Sequence, residues 1–388
     1  MESAMRILFL NQYFPPDPAP TGILFRELAD SLESDGHVVD FVAAREEYRE
    51  GQAKRGRVKR ELMALGRMLL DGLRRPRADL VISGSSPPCV LVIAALIAAF
   101  HRAKSVHWAM DIYPEIAVAL GEVREGLLSR CLRSLMRWAY RRTDRVVVLD
   151  DDMAECLHGY GVKAECIRPW VFHSVLPQLA VADEAPDSEW TWIYSGNLGR
   201  AHEWRTLLEA QALLDERGVS ARLVFQGGGP ARAAAQARAE ALRLKRCRWT
   251  GYVEEPDLPR SLLRGSVLAV TQLQAVKGLL WPSKLALLLS LPRAILWIGP
   301  EDGATARMLR SVPSAGVFAP GQAREIADWL TSRQGLGAES LTPAVNAAAH
   351  REESLERWRA LVATVFEERL ATAHISNMRG GKSDTLPG

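Results

Sequence analysis

At 388 residues the chain is long enough for two ordinary domains, each with its own core. A hydrophobic share of 48% beside a charged share of 24% excludes the disordered and membrane-spanning classes, and a net charge of +3 gives no bulk electrostatic reason for a nucleic-acid partner. Cys89, Cys131, Cys156, Cys166 and Cys247 form no C-x-x-C pair, which predicts a reducing compartment and argues against structural zinc.

The N-terminal run Met5-Arg6-Ile7-Leu8-Phe9-Leu10 reads as a buried strand over Ile7–Leu10, too short and wrongly flanked for a signal peptide. An amphipathic helix over Gly22–Leu32 follows, closed by Asp35-Gly36, and Val38–Val42 is the next strand. The alternation continues with strand Leu80–Ser83, helix Cys89–Phe100, strand Ser105–Met110, helix Leu127–Tyr140, strand Arg145–Leu149, helix Met153–Tyr160 and strand Ala164–Ile167. The apolar run Cys89–Phe100 is 12 residues long, short of the roughly 20 that span a bilayer, so it is expected buried between a sheet and its neighbours and the protein is expected in the cytosol. Pro169–Ser188 breaks the rhythm with prolines. A second series then runs through strand Trp192–Tyr194, helix Trp204–Arg217, strand Leu223–Phe225, helix Ala231–Leu244, strands Arg248–Thr250 and Val267–Thr271, helix Lys284–Leu291 and strand Ala294–Ile298, with a last helix over Glu352–Arg369.

Such alternation predicts an α/β protein of two doubly wound, Rossmann-like domains that face each other across a cleft at the carboxyl ends of their strands. The expected divisions are a first domain over residues 1–175, a linker over 176–189, a second domain over 190–347, a helix over 348–374 and a disordered tail over 375–388.

Three places in the second half suit an anionic ligand. In Tyr194-Ser195-Gly196-Asn197-Leu198-Gly199-Arg200 a strand ends in a glycine loop with a permanent cation, and a helix follows. In Phe225-Gln226-Gly227-Gly228-Gly229-Pro230 three glycines leave free N–H groups before a helix, although a tight turn alone also explains them. In Trp281-Pro282-Ser283-Lys284-Leu285 the serine is a candidate N-cap, and Lys284 is a first-turn cation that opposes the helix dipole unless an anion shares the site or the side chain faces solvent.

These three segments, in this order and extended through Ala201-His202-Glu203, resemble successive motifs of the family 4 glycosyltransferases of the GT-B fold, in particular the bacterial branch that builds surface polysaccharides. Asn11-Gln12-Tyr13-Phe14-Pro15-Pro16-Asp17, the acceptor-side loop at Thr21-Gly22, Ser86-Pro87-Pro88 and Asp111-Ile112-Tyr113-Pro114-Glu115 fit the same branch. The resemblance implies a retaining hexosyl- or N-acetylhexosaminyltransferase that needs no metal or other cofactor. Its donor would be a UDP- or GDP-sugar bound by the second domain, and its acceptor a saccharide, lipid-linked in this branch, bound by the first. Carried over residue by residue, Arg200 and Lys284 hold the diphosphate, Gly196, Asn197, Gly199 and Ser283 surround it, and His202 stands where many relatives have lysine and acts as a weaker, pH-sensitive donor. Gly227, Gly228, Gly229, Tyr252 and Val253 lie near the nucleotide. The sequence departs from most of the family at Leu279 and Leu287, where two carboxylates usually read the sugar and ribose, so that recognition is unassigned.

For the chemistry, Asp111 follows a strand and is expected at a carboxyl end facing the cleft, where it orients or deprotonates the acceptor hydroxyl with help from Glu115; the alternative is an N-cap and a first-turn acid. His107, alternating with apolar neighbours, is expected to be structural, and Asp150-Asp151-Asp152 to cap a helix rather than hold a metal. Lys54-Arg55-Gly56-Arg57-Val58-Lys59-Arg60 opens a helix with a stripe of Leu62, Leu65, Leu69 and Leu73 and with Arg60, Arg67 and Arg74 on another side. Arg130, Arg133, Arg137, Arg141 and Arg142 make a second basic helix. Both are solvated faces or a surface for docking at the inner face of an anionic cytoplasmic membrane, whereas aromatics for stacking nucleic-acid bases are sparse. Two other readings remain: a non-catalytic sugar-nucleotide-binding subunit, which the two leucines favour, and a nucleotide-sugar 2-epimerase, which needs more acid/base residues than the cleft supplies.

Overall fold

A computed structural model of the chain describes residues 4–17, 19–44, 57–181, 189–334 and 341–380. Lys54, Arg55 and Gly56 at the start of the basic segment, and residues 381–388, lie outside the described residues.

The first domain runs β1 (Arg6–Asn11), α1 (Pro20–Ser34), β2 (Val38–Ala43), α2 (Arg57–Arg74), β3 (Leu80–Ser83), α3 (Val90–His101), β4 (Lys104–Trp108), α4 (Glu115–Ala119), α5 (Leu127–Tyr140), β5 (Arg145–Val148), α6 (Asp151–His158) and β6 (Ala164–Cys166). A short helix, α7 (Leu176–Val181), interrupts the expected linker. The second domain contains β7 (Thr191–Ser195), α8 (Arg205–Glu216), β8 (Arg222–Gln226), α9 (Arg232–Ala241), β9 (Cys247–Thr250), α10 (Leu258–Leu263), β10 (Val267–Thr271), α11 (Leu285–Leu289), β11 (Ala294–Ile298), α12 (Ala304–Arg310), β12 (Ala315–Phe318) and α13 (Ala323–Arg333), and α14 (Ala347–Gly380) closes the chain. The sequence reading missed α10, α12, β12 and α13. It also placed a disordered tail from Ile375, where the backbone stays helical to Gly380.

Each sheet has six strands, in the orders β2-β1-β3-β4-β5-β6 and β12-β11-β10-β7-β8-β9. Every recorded pairing is parallel. Strands covered on both faces read as unbroken apolar runs, and β10 and β11 are buried at every residue. Strand order reverses between β1 and β3 and between β7 and β10, and ligands of doubly wound sheets bind beyond the carboxyl ends of the strands at such points. The loop after β1 leads into the first turn of α1, which holds Thr21 and Gly22 in place of the loop expected there, the loop after β3 carries Ser86, and those after β7 and β10 carry the Gly196 loop and the approach to Lys284. Topology therefore selects the segments that the motifs had marked.

The largest core is continuous across the domains, from Phe9 and Trp108 through Ile112 and Leu279 to Trp281 and Leu285. The last helix crosses back to the first domain, where Trp358 packs on Trp108 with ring centroids 4.8 Å apart. Beside it Glu27, buried on α1, accepts from Trp170 Nε1 at 2.8 Å, from the His173 backbone N–H at 2.6 Å and from Arg351 Nε at 3.1 Å. One carboxylate thus ties α1, the crossover between the domains and α14. Glu27→Ala leaves these donors unpaired and is expected to lower stability by about 2 kcal/mol in urea unfolding.

The packing of α2 and α3 differs from the expectation. Ala64 and Met68 form the buried seam of α2 with Leu65, Leu69 and Leu73 half-buried beside it, while Leu62 is 63% exposed. Helix α3 buries Leu91, Ile93 and Ile97 yet leaves Phe100 66% exposed.

Candidate functional site

The loops after β7 and β8 are zippered together. Gly196 N–H donates to Gln226 O at 2.8 Å, Leu198 N–H to Gly228 O at 2.7 Å and Ala231 N–H to Leu198 O at 3.1 Å. A Cβ on Gly227 would lie 2.3 Å from Gly196 O, and its φ of +125° is one that other residues rarely adopt. The glycines are therefore needed for one loop to lie on the other, which the tight-turn explanation had only half anticipated. Tyr252 rests its ring against Gly228, 2.9 Å from where a Cβ would stand.

Lys284 reaches this double loop from the other side. Its Nζ lies 3.8 Å from the centroid of the Tyr194 ring and 3.3 Å from where a Cβ on Gly196 would be. Although the residue as a whole is half-buried, Nζ itself is sealed from solvent and has no hydrogen-bond partner. The cation–π contact with Tyr194 supplies about 1–2 kcal/mol, less than the hydration lost. Burial accordingly pulls the ammonium down to about 7. Ser283 is exposed and caps nothing: α11 begins at Leu285, and Lys284 occupies its N-cap position without a side-chain bond. The helix-dipole conflict expected for Lys284 is thus replaced by a larger one, a buried cation with no counter-charge.

His202 lies alongside. Its Nδ1 is 3.0 Å from Thr271 O, an atom that only accepts, so Nδ1 carries the proton and Nε2 is left as an acceptor. Burial and the charge of Lys284 hold the ring down to about 3. The expected pH-sensitive donor to phosphate is therefore a neutral ring that receives a hydrogen bond instead.

These groups line a cavity of about 770 Å³ between the domains. Ser195, Gly196, Asn197, His202, Gly229 and Lys284 supply its polar floor, and Tyr252 stands at its side. Pro20 and Leu24 of α1, with Trp170 and Phe172 from the crossover, supply the apolar wall. Leu287 lines the cavity and Leu279 is buried at the domain junction. Val253 is half-buried outside the lining. A wide apolar chamber with a few converging polar groups is the usual form of a small-ligand site.

Arg200 is not brought to Lys284. Its guanidinium pairs with Glu122 of the first domain at 3.0 Å, and the side chain is 45% exposed. A Cβ on Gly199 would stand 3.5 Å from the His202 ring.

On the acceptor side, Asn11 Nδ2 donates to Tyr13 O at 2.9 Å and to Thr21 Oγ1 at 3.5 Å. Gly22 has no room for a side chain, since its Cβ would stand 2.8 Å from Tyr13 O. Ser86 donates to Gln12 and accepts the Gln12 N–H at 2.8 Å through its carbonyl.

Asp111 sits where the two domains touch, in a backbone bridge to Leu280, while Ile112 N–H donates to Leu279 O at 2.8 Å. Asp111 lines a separate void of about 10 Å³ with Ser85, Cys89, His107, Tyr113 and Tyr140, not the main cavity, and burial raises it to about 6. His107 is buried, 3.0 Å from Ser83 Oγ, and held down to about 3 by burial, in keeping with a structural role. Glu115 is removed from the cleft altogether. It accepts from Tyr160 and from Arg133 Nε at 3.3 Å within the first domain.

Asp150 caps α6 through Met153 N–H at 2.8 Å, as its position predicts. Asp152 instead reaches the second domain, accepting from Ala304 N–H and from Arg307 Nη2, both at 2.7 Å. No cluster able to hold a metal occurs among the described residues.

Sequence reasoning missed Tyr194 as the bed of Lys284, Glu122 as the partner of Arg200, and Trp170 and Phe172 as cavity wall. Only Tyr194 carried a signal, being an aromatic residue within the glycine-loop motif.

The family model described as Glycosyltransferase Family 4 matches residues 21–171, and that described as Glycosyl transferases group 1 matches residues 179–278. Over 251 residues the chain is 26% identical to the probable glycosyltransferase WbjE of Pseudomonas aeruginosa, a match that spans only 61% of each protein's length. Sucrose-phosphate synthase from Thermosynechococcus elongatus superposes with a TM-score of 0.68 at 13% identity, over 94% of this chain and 100% of that one. HepE from Anabaena, in complex with UDP and glucose, superposes with a TM-score of 0.56 at 14% identity, over 95% of this chain and 99% of that one. At such identities the structural likeness is one of fold: two Rossmann-like domains in the GT-B arrangement. The two family models fall one on each domain, and the chain belongs to glycosyltransferase family 4.

Proposed function

We propose that the protein transfers a hexosyl or N-acetylhexosaminyl group from a UDP- or GDP-sugar to a lipid-linked saccharide in cell-surface polysaccharide assembly, with retention of anomeric configuration. The observation that carries this reading is the sealed, unpartnered Lys284 ammonium on the floor of the interdomain cavity. A buried cation without a counter-charge is costly unless an anion completes the site, and a diphosphate does so beside the backbone room left by Gly196. HepE, of the same fold, was captured with UDP and glucose.

The leaving diphosphate gathers charge as the glycosidic bond breaks, and Lys284 in a dry site stabilises it without reorganisation. Arg200 joins when its pair with Glu122 opens, so donor binding and domain movement are coupled. With these two cations on the diphosphate the reaction needs no divalent metal, and excess EDTA leaves the rate unchanged. Asn197 and the Nε2 lone pair of His202 face donor hydroxyls. Asp111, at the domain contact, receives or orients the acceptor proton. The site works on the cytoplasmic side, where nucleotide sugars are made.

The test is transfer from a panel of UDP- and GDP-sugars to lipid-linked acceptors, with the product anomer read by NMR. A retained anomer supports the proposal; an inverted one refutes the stereochemistry, and donor binding without transfer to any acceptor favours the non-catalytic reading that Leu287 at the cavity wall invites. Asp111→Asn is expected to lower kcat about 10²-fold with the donor KM unchanged and to remove the acid limb of the pH–rate profile near 6. An unchanged kcat withdraws the role.

A further inference from the structure

Nine of the twelve large hydrophobic side chains exposed among the described residues lie on α2, α3 and α5, which pack side by side in that order. They include Leu62 and Leu70 on α2, Phe100 on α3 and Leu127, Leu128 and Leu135 on α5, with Leu127 80% exposed. A solvated helix face does not collect its apolar residues in one place, and scattered single ones would need no account. The exposed cations Lys59 and Arg67 on α2 and Arg130 and Arg137 on α5 stand among them. The carboxylates of these helices do not cancel that charge: Glu61 and Asp71 are half-buried, and Glu125 is committed to Arg133 at 2.6 Å.

We infer that the α2–α3–α5 face docks on an anionic lipid bilayer, with its leucines and Phe100 inserted at the headgroup boundary and its arginines and Lys59 on lipid phosphates. A second copy of the chain is the poorer occupant, because a face rich in exposed cations repels its own image. A neutral protein surface would leave those cations desolvated without partners. The bilayer satisfies both halves of the pattern, apolar insertion and phosphate contact. Trp138, half-buried on α5 with Arg142 stacked on its ring at 4.7 Å, is the kind of amphipathic pair found at that depth. No helix of the described residues is long and apolar enough to cross a membrane, so the face lies on the bilayer. This surface is independent of the cavity chemistry, and it explains what two basic helices alone left open, namely why α3 exposes Phe100.

The test is co-sedimentation with vesicles of phosphatidylcholine alone and of phosphatidylcholine with phosphatidylglycerol, at 0.1 M salt. Wild-type protein is expected on the anionic vesicles only. Leu127→Ser with Leu128→Ser and Phe100→Ser is expected to weaken binding at least about tenfold. Arg130→Ser is expected to weaken it about fivefold, an effect that shrinks as salt rises. These residues lie outside the cavity, so transfer to a detergent-solubilised acceptor is expected unchanged in every variant. Wild-type protein that stays in solution with anionic vesicles, or a triple variant that binds as well as wild type, overturns the inference. So does a concentration-dependent dimer in sedimentation velocity that the same substitutions dissolve. Lost transfer in solution beside retained vesicle binding would refute the function proposed above and leave the docking face standing.

Discussion

Replacing Lys284 with methionine is expected to make the ligand-free protein more stable while lowering transfer about 10³-fold. Methionine matches the length of the stem, packs on Tyr194 and removes the sealed ammonium. The folded protein holds this group at about 7, against 10.5 for an ordinary lysine, so between those values the unfolded chain binds a proton that the folded one does not. Stability contributed by this site therefore rises with pH through that window. The advantage of methionine is largest below pH 7, on the order of 5 kcal/mol, and fades toward pH 10. Thermal melts of both proteins at pH 6 and pH 9 measure it. A methionine variant less stable than wild type at pH 6 would show that the lysine is already satisfied without a ligand.

Gly227→Ala is expected to lower stability by at least about 4 kcal/mol, or to prevent folding of the second domain. Two independent penalties act together. The backbone conformation at +125° is strained for any side chain, and the added methyl would overlap the Gly196 carbonyl, which is held by the zippered loops and cannot swing aside. Gly36→Ala is the informative control, because Gly36 also has a positive φ, +90°, but open space where its Cβ would stand. The difference between the two substitutions in chemical unfolding isolates the loop-on-loop contact. Equal losses would reduce the requirement at Gly227 to backbone conformation alone.

The layers of the fold were legible because buried parallel strands and crossover helices write different periods, as β10, β11 and α1 do. The position of the site was legible through glycine spacing and the isolated lysine. Contacts made across long sequence distance were not. Nothing local in Arg200 announces Glu122, 78 positions earlier, nor in Asp152 the start of α12, 152 positions later. The protonation of His202 depends on Thr271 O, which a sequence does not place beside it. Asp111 was correctly put at a strand end, but which void it faces depends on how the domains close around Leu280. Leu62 joined a stripe on three- and four-residue spacing although the buried seam of α2 is set by the small residues Ala64 and Gly72, which admit α3 closely: a Cβ on Gly72 would fall 2.4 Å from the Ile97 side chain.

The account rests on a lysine whose ammonium burial holds down to about 7 until an anion arrives, and proton linkage reads that directly. Calorimetric titration with UDP and with GDP at pH 8, in two buffers of different ionisation enthalpy, counts the protons taken up on binding. With the ammonium near 7 in the free protein, about 0.9 proton is expected for the nucleotide that binds, falling to near zero at pH 6 and absent in Lys284→Met. Binding without proton uptake at pH 8, or equal uptake in the methionine variant, would contradict it.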